Sequence, residues 1–192
     1  MIRINKELLG FVTSLYESQA DGRVSKIAIP PRELVLEQGE WHPYVYVLES
    51  GIAKCYLTEE NGNEFIQEFF GEGSLCGELE VFIDDEPYCS IEAITEVTAY
   101  RFAVKDFSKL VSENPAFSNL LVRTLVAKVK YKGIRLSFNQ SNLIEKKLLY
   151  LSSQFPEFLE TISRRNIANY LGINKRSLSR SLKSLREKDL ID

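Results

Sequence analysis

Thr161-Ile-Ser-Arg-Arg-Asn-Ile-Ala-Asn-Tyr-Leu-Gly-Ile-Asn-Lys-Arg-Ser-Leu-Ser-Arg-Ser-Leu-Lys-Ser-Leu-Arg-Glu-Lys188 reads as two short helices broken at Gly172. Ser163 is a plausible N-cap. Ile167, Ala168 and Leu171 form an apolar stripe that stops at a glycine able to take the positive φ of a tight turn. Asn174 can cap the second helix, in which Leu178, Leu182 and Leu185 recur at helical spacing and face inward. Lys175, Arg176, Ser179, Arg180 and Lys183 are left together on the outer face. This pattern predicts a helix-turn-helix whose second helix enters a DNA major groove, with the small Ala168 where the two helices cross.

Charge is more telling by region than in total. The 192-residue chain carries 24 basic and 27 acidic residues, net −3, which alone argues against a nucleic-acid partner. Residues 161–188 nevertheless hold eight bases (Arg164, Arg165, Lys175, Arg176, Arg180, Lys183, Arg186, Lys188) and the single acid Glu187. Phosphate contacts release counterions, so the local basic face is what matters. A charged helix face is often merely solvated. Here the charge coincides with a correctly spaced helix-turn-helix core, which argues for the functional reading.

At 44% hydrophobic content the chain is globular and long enough for one large domain and a small one. It has no apolar run of the ~20 residues a membrane helix needs, and Met1-Ile-Arg-Ile-Asn-Lys6 is not a signal-peptide core. A cytoplasmic protein with no membrane partner is therefore expected. Three cysteines without CxxC spacing, Cys55, Cys76 and Cys89, fit reduced thiols better than a disulfide framework.

Upstream, residues 24–104 read as strands. The runs Val24–Ile29, Glu33–Glu37, Tyr44–Leu48, Ile52–Leu57, Glu64–Phe70, Tyr88–Ile94 and Thr98–Phe102 are separated by turn residues, and Asn61-Gly62 is the strongest hairpin signal. Short, evenly spaced strands point to a sandwich or roll. With 17 acids against 5 bases in residues 21–104, this part should be repelled by DNA.

Asn114-Pro115 starts a long helix reaching about Asn139. Its apolar residues form two stripes, Phe117, Leu121, Leu125 and Leu136, then Val122, Val126 and Val129. One can dock on the roll, and the other invites the same helix of a second subunit, with burial in the monomer as the alternative. A second helix is expected from Asn142-Leu-Ile-Glu145 to Ser152.

Leu36-Glu-Gln-Gly-Glu40 with Val45-Tyr-Val-Leu-Glu-Ser-Gly51, then Gly73-Ser-Leu-Cys-Gly-Glu-Leu79, then Ile162–Ile191 resemble, in that order, the opening hairpins, effector-pocket motif and DNA-reading segment of the Crp/Fnr family of bacterial transcription regulators. Phe82-Ile-Asp-Asp-Glu-Pro87 and Phe138-Asn-Gln-Ser-Asn142 are most similar to the branch typified by YeiL. The resemblance implies an α+β fold with an N-terminal β-roll, the cyclic-nucleotide-binding-like double-stranded β-helix, preceded by a helix in residues 1–114. A dimerisation helix follows in 115–139, then a winged-helix-type helix-turn-helix domain in 140–192. The family's β-hairpin wing would follow Asp192, where this sequence stops, so a domain lacking its wing is expected. Ser181 stands where an aliphatic residue usually supports the recognition helix.

In family members that bind cyclic AMP, the pocket supplies a glutamate for the ribose, then an arginine and a small hydroxyl residue for the phosphate. Glu78 holds the first position, but Tyr88 and Cys89 hold the other two. Losing a charged partner in a desolvated site costs about 2–5 kcal/mol, so no useful cyclic AMP binding is expected. Arg101, on the following strand, is the next cationic candidate. The candidate effector pocket is Cys55, Phe70, Gly77, Glu78, Leu79, Tyr88 and Cys89, with Phe70 and Tyr88 either filling the cavity or framing a less charged effector. Four-cysteine iron–sulfur ligation, found in some members, does not fit three thiols. A thiol redox switch and three buried small hydrophobes both remain open for Cys55, Cys76 and Cys89. His42, in a Trp-His-Pro turn, reads as a surface residue and not a haem ligand.

No phosphate-binding glycine loop, nucleophile–histidine pair or metal-ligand spacing is present, so neither an enzyme, a cofactor nor a metal site is expected. Glu78 and Glu80, read as strand residues, would point to opposite faces. Asp84-Asp85 reads as a solvated turn. The expected function is a homodimeric, sequence-specific DNA-binding regulator. The alternative is an effector-binding cyclic-nucleotide-type module or thiol redox sensor with weak or no DNA binding of its own. Ser163, Arg164, Lys175, Arg176, Ser177, Ser179, Arg180 and Lys183 are the candidate DNA contacts. The candidate dimer interface is Phe117, Leu121, Leu125, Lys128, Val129 and Leu136. Palindromic duplex DNA, RNA polymerase and a small-molecule effector are the partners the resemblance implies.

Overall fold

The computed structural model describes residues 2–18, 22–83, 85–141 and 143–191. Asp84 of the acidic turn, Asn142 at the expected helix start and the terminal Asp192 lie outside the described residues.

Nine strands are described: β1 (Ile2–Arg3), β2 (Val24–Ile29), β3 (Leu34–Leu36), β4 (Tyr44–Ser50), β5 (Ala53–Thr58), β6 (Glu64–Phe70), β7 (Leu75–Cys76), β8 (Ser90–Ala93) and β9 (Val97–Ala103). They form a five-stranded sheet of order β1-β6-β5-β8-β3 facing a four-stranded sheet of order β2-β9-β4-β7. This is an antiparallel roll, except that β1 runs parallel to β6. Alternation along the strands builds two cores. Tyr46, Leu48, Val97 and Ala99 point into the roll, while Val45, Val47, Tyr100 and Phe102 point out to a layer of helices.

That layer comprises α1 (Lys6–Glu17), α3 (Val104–Glu113) and the first half of α4 (Pro115–Ser141). Asn114 separates α3 from α4, and its carboxamide oxygen accepts from the Phe117 N–H at 3.0 Å, the capping expected of Asn-Pro. Phe117, Leu120 and Leu121 bury one face of α4 among Phe102, Phe107 and α1. Phe107 meets Phe102 and Phe117 edge-on at 5.9 and 5.6 Å.

The sequence reading needs correction in places. Glu78–Ile83 is a helix, α2, and not a strand. Gly77, at φ +82°, turns the chain out of β7 into it. The short strands β1 and β7 went unforeseen, because two residues carry no periodicity. The second helix, α5, covers Ile144–Gln154 and is entered from Leu143 without a side-chain cap. His42 is half-buried against Tyr46, 2.8 Å from its hydroxyl, and burial with the nearby Arg101 charge lowers its pKa.

The carboxyl-terminal helices α5, α6 (Phe158–Thr161), α7 (Arg164–Leu171) and α8 (Lys175–Glu187) share a core of Leu148, Leu151, Phe158, Ile167, Leu178, Leu182 and Leu185. This core is continuous with Ile66 and Phe69 of β6. Tyr170 packs on Phe69 with ring centroids 5.0 Å apart, and its hydroxyl lies 3.0 Å from that of Tyr131 on α4. Arg135 of α4 donates to the carbonyls of Ile66 and Tyr170, both at 2.8 Å, and also to that of Gln67. The four terminal helices are therefore seated on the roll by α4 and β6.

Candidate functional site

A cavity of about 230 Å³ lies between the roll and α4. All seven expected pocket residues, Cys55, Phe70, Gly77, Glu78, Leu79, Tyr88 and Cys89, line it. Glu68, Glu80, Lys128 and Lys132 add charge to the lining, and Leu36, Leu75, Cys76, Ile91, Leu125 and Val129 complete it. Phe70 is buried in the wall, while Tyr88 stands half-exposed at the rim, so Tyr88 frames the cavity and does not fill it. Arg101 is not among the lining residues, since it stacks on Tyr44 at 4.5 Å and donates to Ser25.

Gly77 is needed for this geometry. Its positive φ and the Tyr44 carbonyl, 2.7 Å from where a Cβ would sit, exclude a side chain. The turn it makes carries Glu78 inward, where 1% of the residue is exposed. There it meets Lys128, 8% exposed, which came 50 residues further along the chain. The Lys128 ammonium donates to the Glu78 carboxylate and, at 2.7 Å, to the Leu75 carbonyl. Burial opposes its charge, but Glu78 and Glu68 outweigh burial and raise its pKa above the usual lysine value. Glu68 is in turn flanked by Arg3 at 3.3 Å and Lys132 at 3.8 Å, and Lys132 also reaches the Tyr88 hydroxyl at 3.1 Å. Each buried carboxylate of the cavity thus has its own cation.

Cys55 and Cys89 face one another in the same wall, sulfur to sulfur at 3.0 Å. Their contact, with burial, pushes the Cys55 thiol well up, whereas the same contact lowers Cys89 despite its burial. Burial first, and then the Glu78 and Glu68 charges, push Cys76 well up against the opposing Lys128 charge.

The second candidate surface is the α7–α8 unit. Ser163 accepts from the Asn166 N–H at 3.2 Å, Gly172 takes φ +65°, and Asn174 accepts from the Ser177 N–H at 2.8 Å, so both caps and the turn form as expected. Lys175, Arg176, Ser179, Arg180 and Lys183 are exposed on α8, with Ser177 half-buried beside the cap. Ser163 and Arg164 are exposed at the start of α7, while Arg165 reaches Glu64 of the roll at 3.2 Å. Ser181 is half-buried.

The third surface is α4. Phe117, Leu121 and Lys128 are buried in their own protomer, and Leu125 packs partly on the same core, so these four expected interface residues are turned away from any partner. The open stripe is Val122, Val126, Val129 and Leu136, of which Val129 is 72% exposed. Gly133 lies within it, with open space where a Cβ would stand. The sequence mixed the two stripes because a helix of 27 residues presents apolar positions nearly all round. A lysine at the helical spacing of Leu121 and Leu125 was the available sign of a buried ion pair.

Residues 26–114 match the model of the cyclic nucleotide-binding domain. The cAMP-activated global transcriptional regulator CRP of Salmonella typhimurium is 24% identical over 173 residues, covering 84% of this chain and 82% of that protein. The regulatory protein YeiL of Escherichia coli O157:H7 is 26% identical over 150 residues, covering 77% and 68%. The structure of FixK2 from Bradyrhizobium japonicum superposes with a TM-score of 0.74 at 17% identity, covering 86% of each chain. The roll, the long helix and the terminal helices recur there in one fold. The order of these elements and the likeness along most of the sequence agree with the motifs quoted above: the roll matches a cyclic nucleotide-binding domain, and the chain as a whole is similar to transcription regulators of the Crp/Fnr type.

Proposed function

We propose that the protein is a homodimeric, sequence-specific DNA-binding regulator whose effector is not cyclic AMP. The observation that carries the DNA-binding reading is the exposed row Lys175, Arg176, Ser179, Arg180 and Lys183 on a capped, leucine-anchored α8. Arg176 and Arg180 suit bidentate guanine contacts, while Ser163 and Arg164 suit the phosphate backbone at the start of α7. The domain division is 1–114 for effector sensing, 115–139 for pairing and 140–192 for DNA reading.

Pairing rests on the open α4 stripe. Full burial of a valine is worth roughly 1.5–3 kcal/mol, and a row of them exposed along one helix is satisfied by the same row of a second copy. Two readers so paired reach successive major grooves, about 34 Å apart, on a palindromic site.

The electrostatics of the cavity disfavour cyclic AMP. Glu78, the candidate ribose partner, is already bound by Lys128, and no arginine is among the residues lining the cavity. An entering phosphate would face the Glu68 and Glu78 carboxylates, with only committed lysines to offset them.

The test is binding to an operator selected from randomised duplexes, beside random DNA. Arg180→Ala should lose about 1–3 kcal/mol on the operator and little on random DNA, whereas Arg164→Ala should weaken both alike. Equal losses from both variants on both DNAs would contradict the assignment. Calorimetry showing micromolar cyclic AMP affinity would overturn the ligand reading alone.

A further inference from the structure

We propose that Cys55 and Cys89 form a reversible dithiol–disulfide pair in the effector cavity, oxidised by hydrogen peroxide or another small hydroperoxide. The proposal concerns the roll alone and does not rest on the DNA-binding reading.

The geometry comes from the sheet. β5 and β8 are antiparallel, with Cys55 opposite Ile91 and Tyr56 opposite Ser90. Cys89, one residue before β8, is therefore diagonal to Cys55 on the same face, and the two sulfurs stand 3.0 Å apart. A disulfide needs the sulfurs about 1 Å closer, at ~2.05 Å, and because Cys89 lies one residue before β8, that approach does not require a β5–β8 ladder pair to break. The two thiols, in a wall that also holds Glu68, Glu78, Lys128 and Lys132, stand closer than sulfurs in plain van der Waals contact, so space-filling alone does not explain their approach. Cys76 lines the same cavity but has no such sulfur contact among the described residues.

The site also has an entrance and an order of events. The rim residues Leu79 and Tyr88 are more than a third exposed, and Lys132 has 39% of its side chain exposed, so a molecule as small as peroxide reaches the cavity from solvent. Of the two thiols, Cys89 adjoins the rim residue Tyr88 and is lowered by its contact with Cys55 and then by the Lys132 charge, while Cys55 lies deeper and is raised. Cys89 is thus the attacking thiolate. Its sulfur takes the distal peroxide oxygen, the O–O bond breaks, and hydroxide leaves, giving a sulfenic acid. The Cys55 sulfur then displaces the sulfenic oxygen, which departs as water after taking up the proton that Cys89 released on forming its thiolate. The Cys55 proton neutralises the hydroxide of the first step. Two thiols and one peroxide thereby give one disulfide and two waters. The product ties β5 to the segment entering β8 and removes both thiols from the cavity lining. Thiol reductants reverse it.

The experiment treats the reduced full-length protein with hydrogen peroxide, blocks remaining thiols with N-ethylmaleimide, and counts and maps them by mass spectrometry after denaturation. The wild type should fall from three free thiols to one, with a Cys55–Cys89 peptide within one chain, and dithiothreitol should restore all three. Cys76→Ser, which keeps the pair, should fall from two to none. In Cys55→Ser the reaction should halt at a Cys89 sulfenic acid that dimedone traps. If Cys76→Ser keeps both thiols under peroxide that oxidises free glutathione, or if the bond formed involves Cys76 or links two subunits, the proposal is overturned.

Discussion

Replacing Lys128 by Met isolates the most exacting contact in the molecule. Glu78 is 1% exposed and Lys128 is 8% exposed, and the ammonium serves both the Glu78 carboxylate and, at 2.7 Å, the Leu75 carbonyl. The variant keeps the length and apolar volume of the side chain while leaving a buried carboxylate and a carbonyl without their donor. Removing one partner of a buried pair costs about 3–5 kcal/mol, a large part of the ~5–15 kcal/mol that holds a domain together. With a urea slope of about 2 kcal/mol per molar, the unfolding midpoint should fall by roughly 1.5–2.5 M. The double variant Glu78→Met/Lys128→Met removes both charges together and should recover most of that loss, since well-packed apolar replacements of buried pairs are often neutral. The pH dependence carries its own sign. A lysine whose folded pKa is raised above 10.5 contributes fully below that value and loses its contribution only as pH rises past it. The lysine's own contribution to the gap between wild type and Lys128→Met should therefore stay constant up to about pH 9 and fall only at more alkaline pH. Equilibrium urea unfolding followed by circular dichroism measures all three. A midpoint shift under about 0.5 M in the single variant, or no recovery in the double one, would refute the claim that this pair is buried and mutually dependent.

Val126→Asp places a charge in the middle of the open α4 stripe and should convert a dimer into monomers, seen by sedimentation, with circular dichroism unchanged because the side chain is solvent-facing in the protomer. His42 has a lowered folded pKa, so its stabilising neutral form is fully present above about pH 6.5 and lost as pH falls. His42→Gln should flatten the stability–pH curve between about pH 7 and 5, and an unchanged slope would count against the Tyr46 contact. Asn174→Ala removes the acceptor for the Ser177 N–H and should cost about 1 kcal/mol of thermal stability, a loss that Asn174→Ser largely avoids.

What was legible in the sequence had local causes. Ser163, Gly172 and Asn174 mark the reader's helices because caps and positive-φ turns are chemical requirements of single positions. Val24–Ile29 and Glu64–Phe70 were bounded correctly because β-branched and aromatic runs end at turn residues. The cavity's near residues, Gly77 to Leu79 with Tyr88 and Cys89, came with the motif that resembles the family's. Lys128 and Lys132 did not, since they reach the cavity from α4 and no local rule connects them to Glu78 or Glu68. The sulfur contact was equally invisible: Cys55 and Cys89 are 34 positions apart, and only the β5–β8 register brings them together. The strand reading of Glu78 and Glu80 failed because the neighbouring Leu79, Val81, Phe82 and Ile83 favour either state over so short a run, and the turn at Gly77 decides for the helix.

Strand β6 is a party wall. Glu68 and Phe70 line the cavity, while Phe69 carries the ring of Tyr170 from α7. The β5–β6 register slips at Gln67, the residue whose carbonyl receives Arg135 from α4. Cavity, long helix and terminal helices accordingly meet at five consecutive residues, 66–70. The chamber on one side and the packing of Tyr170 on the other are thus separated by the thickness of one strand.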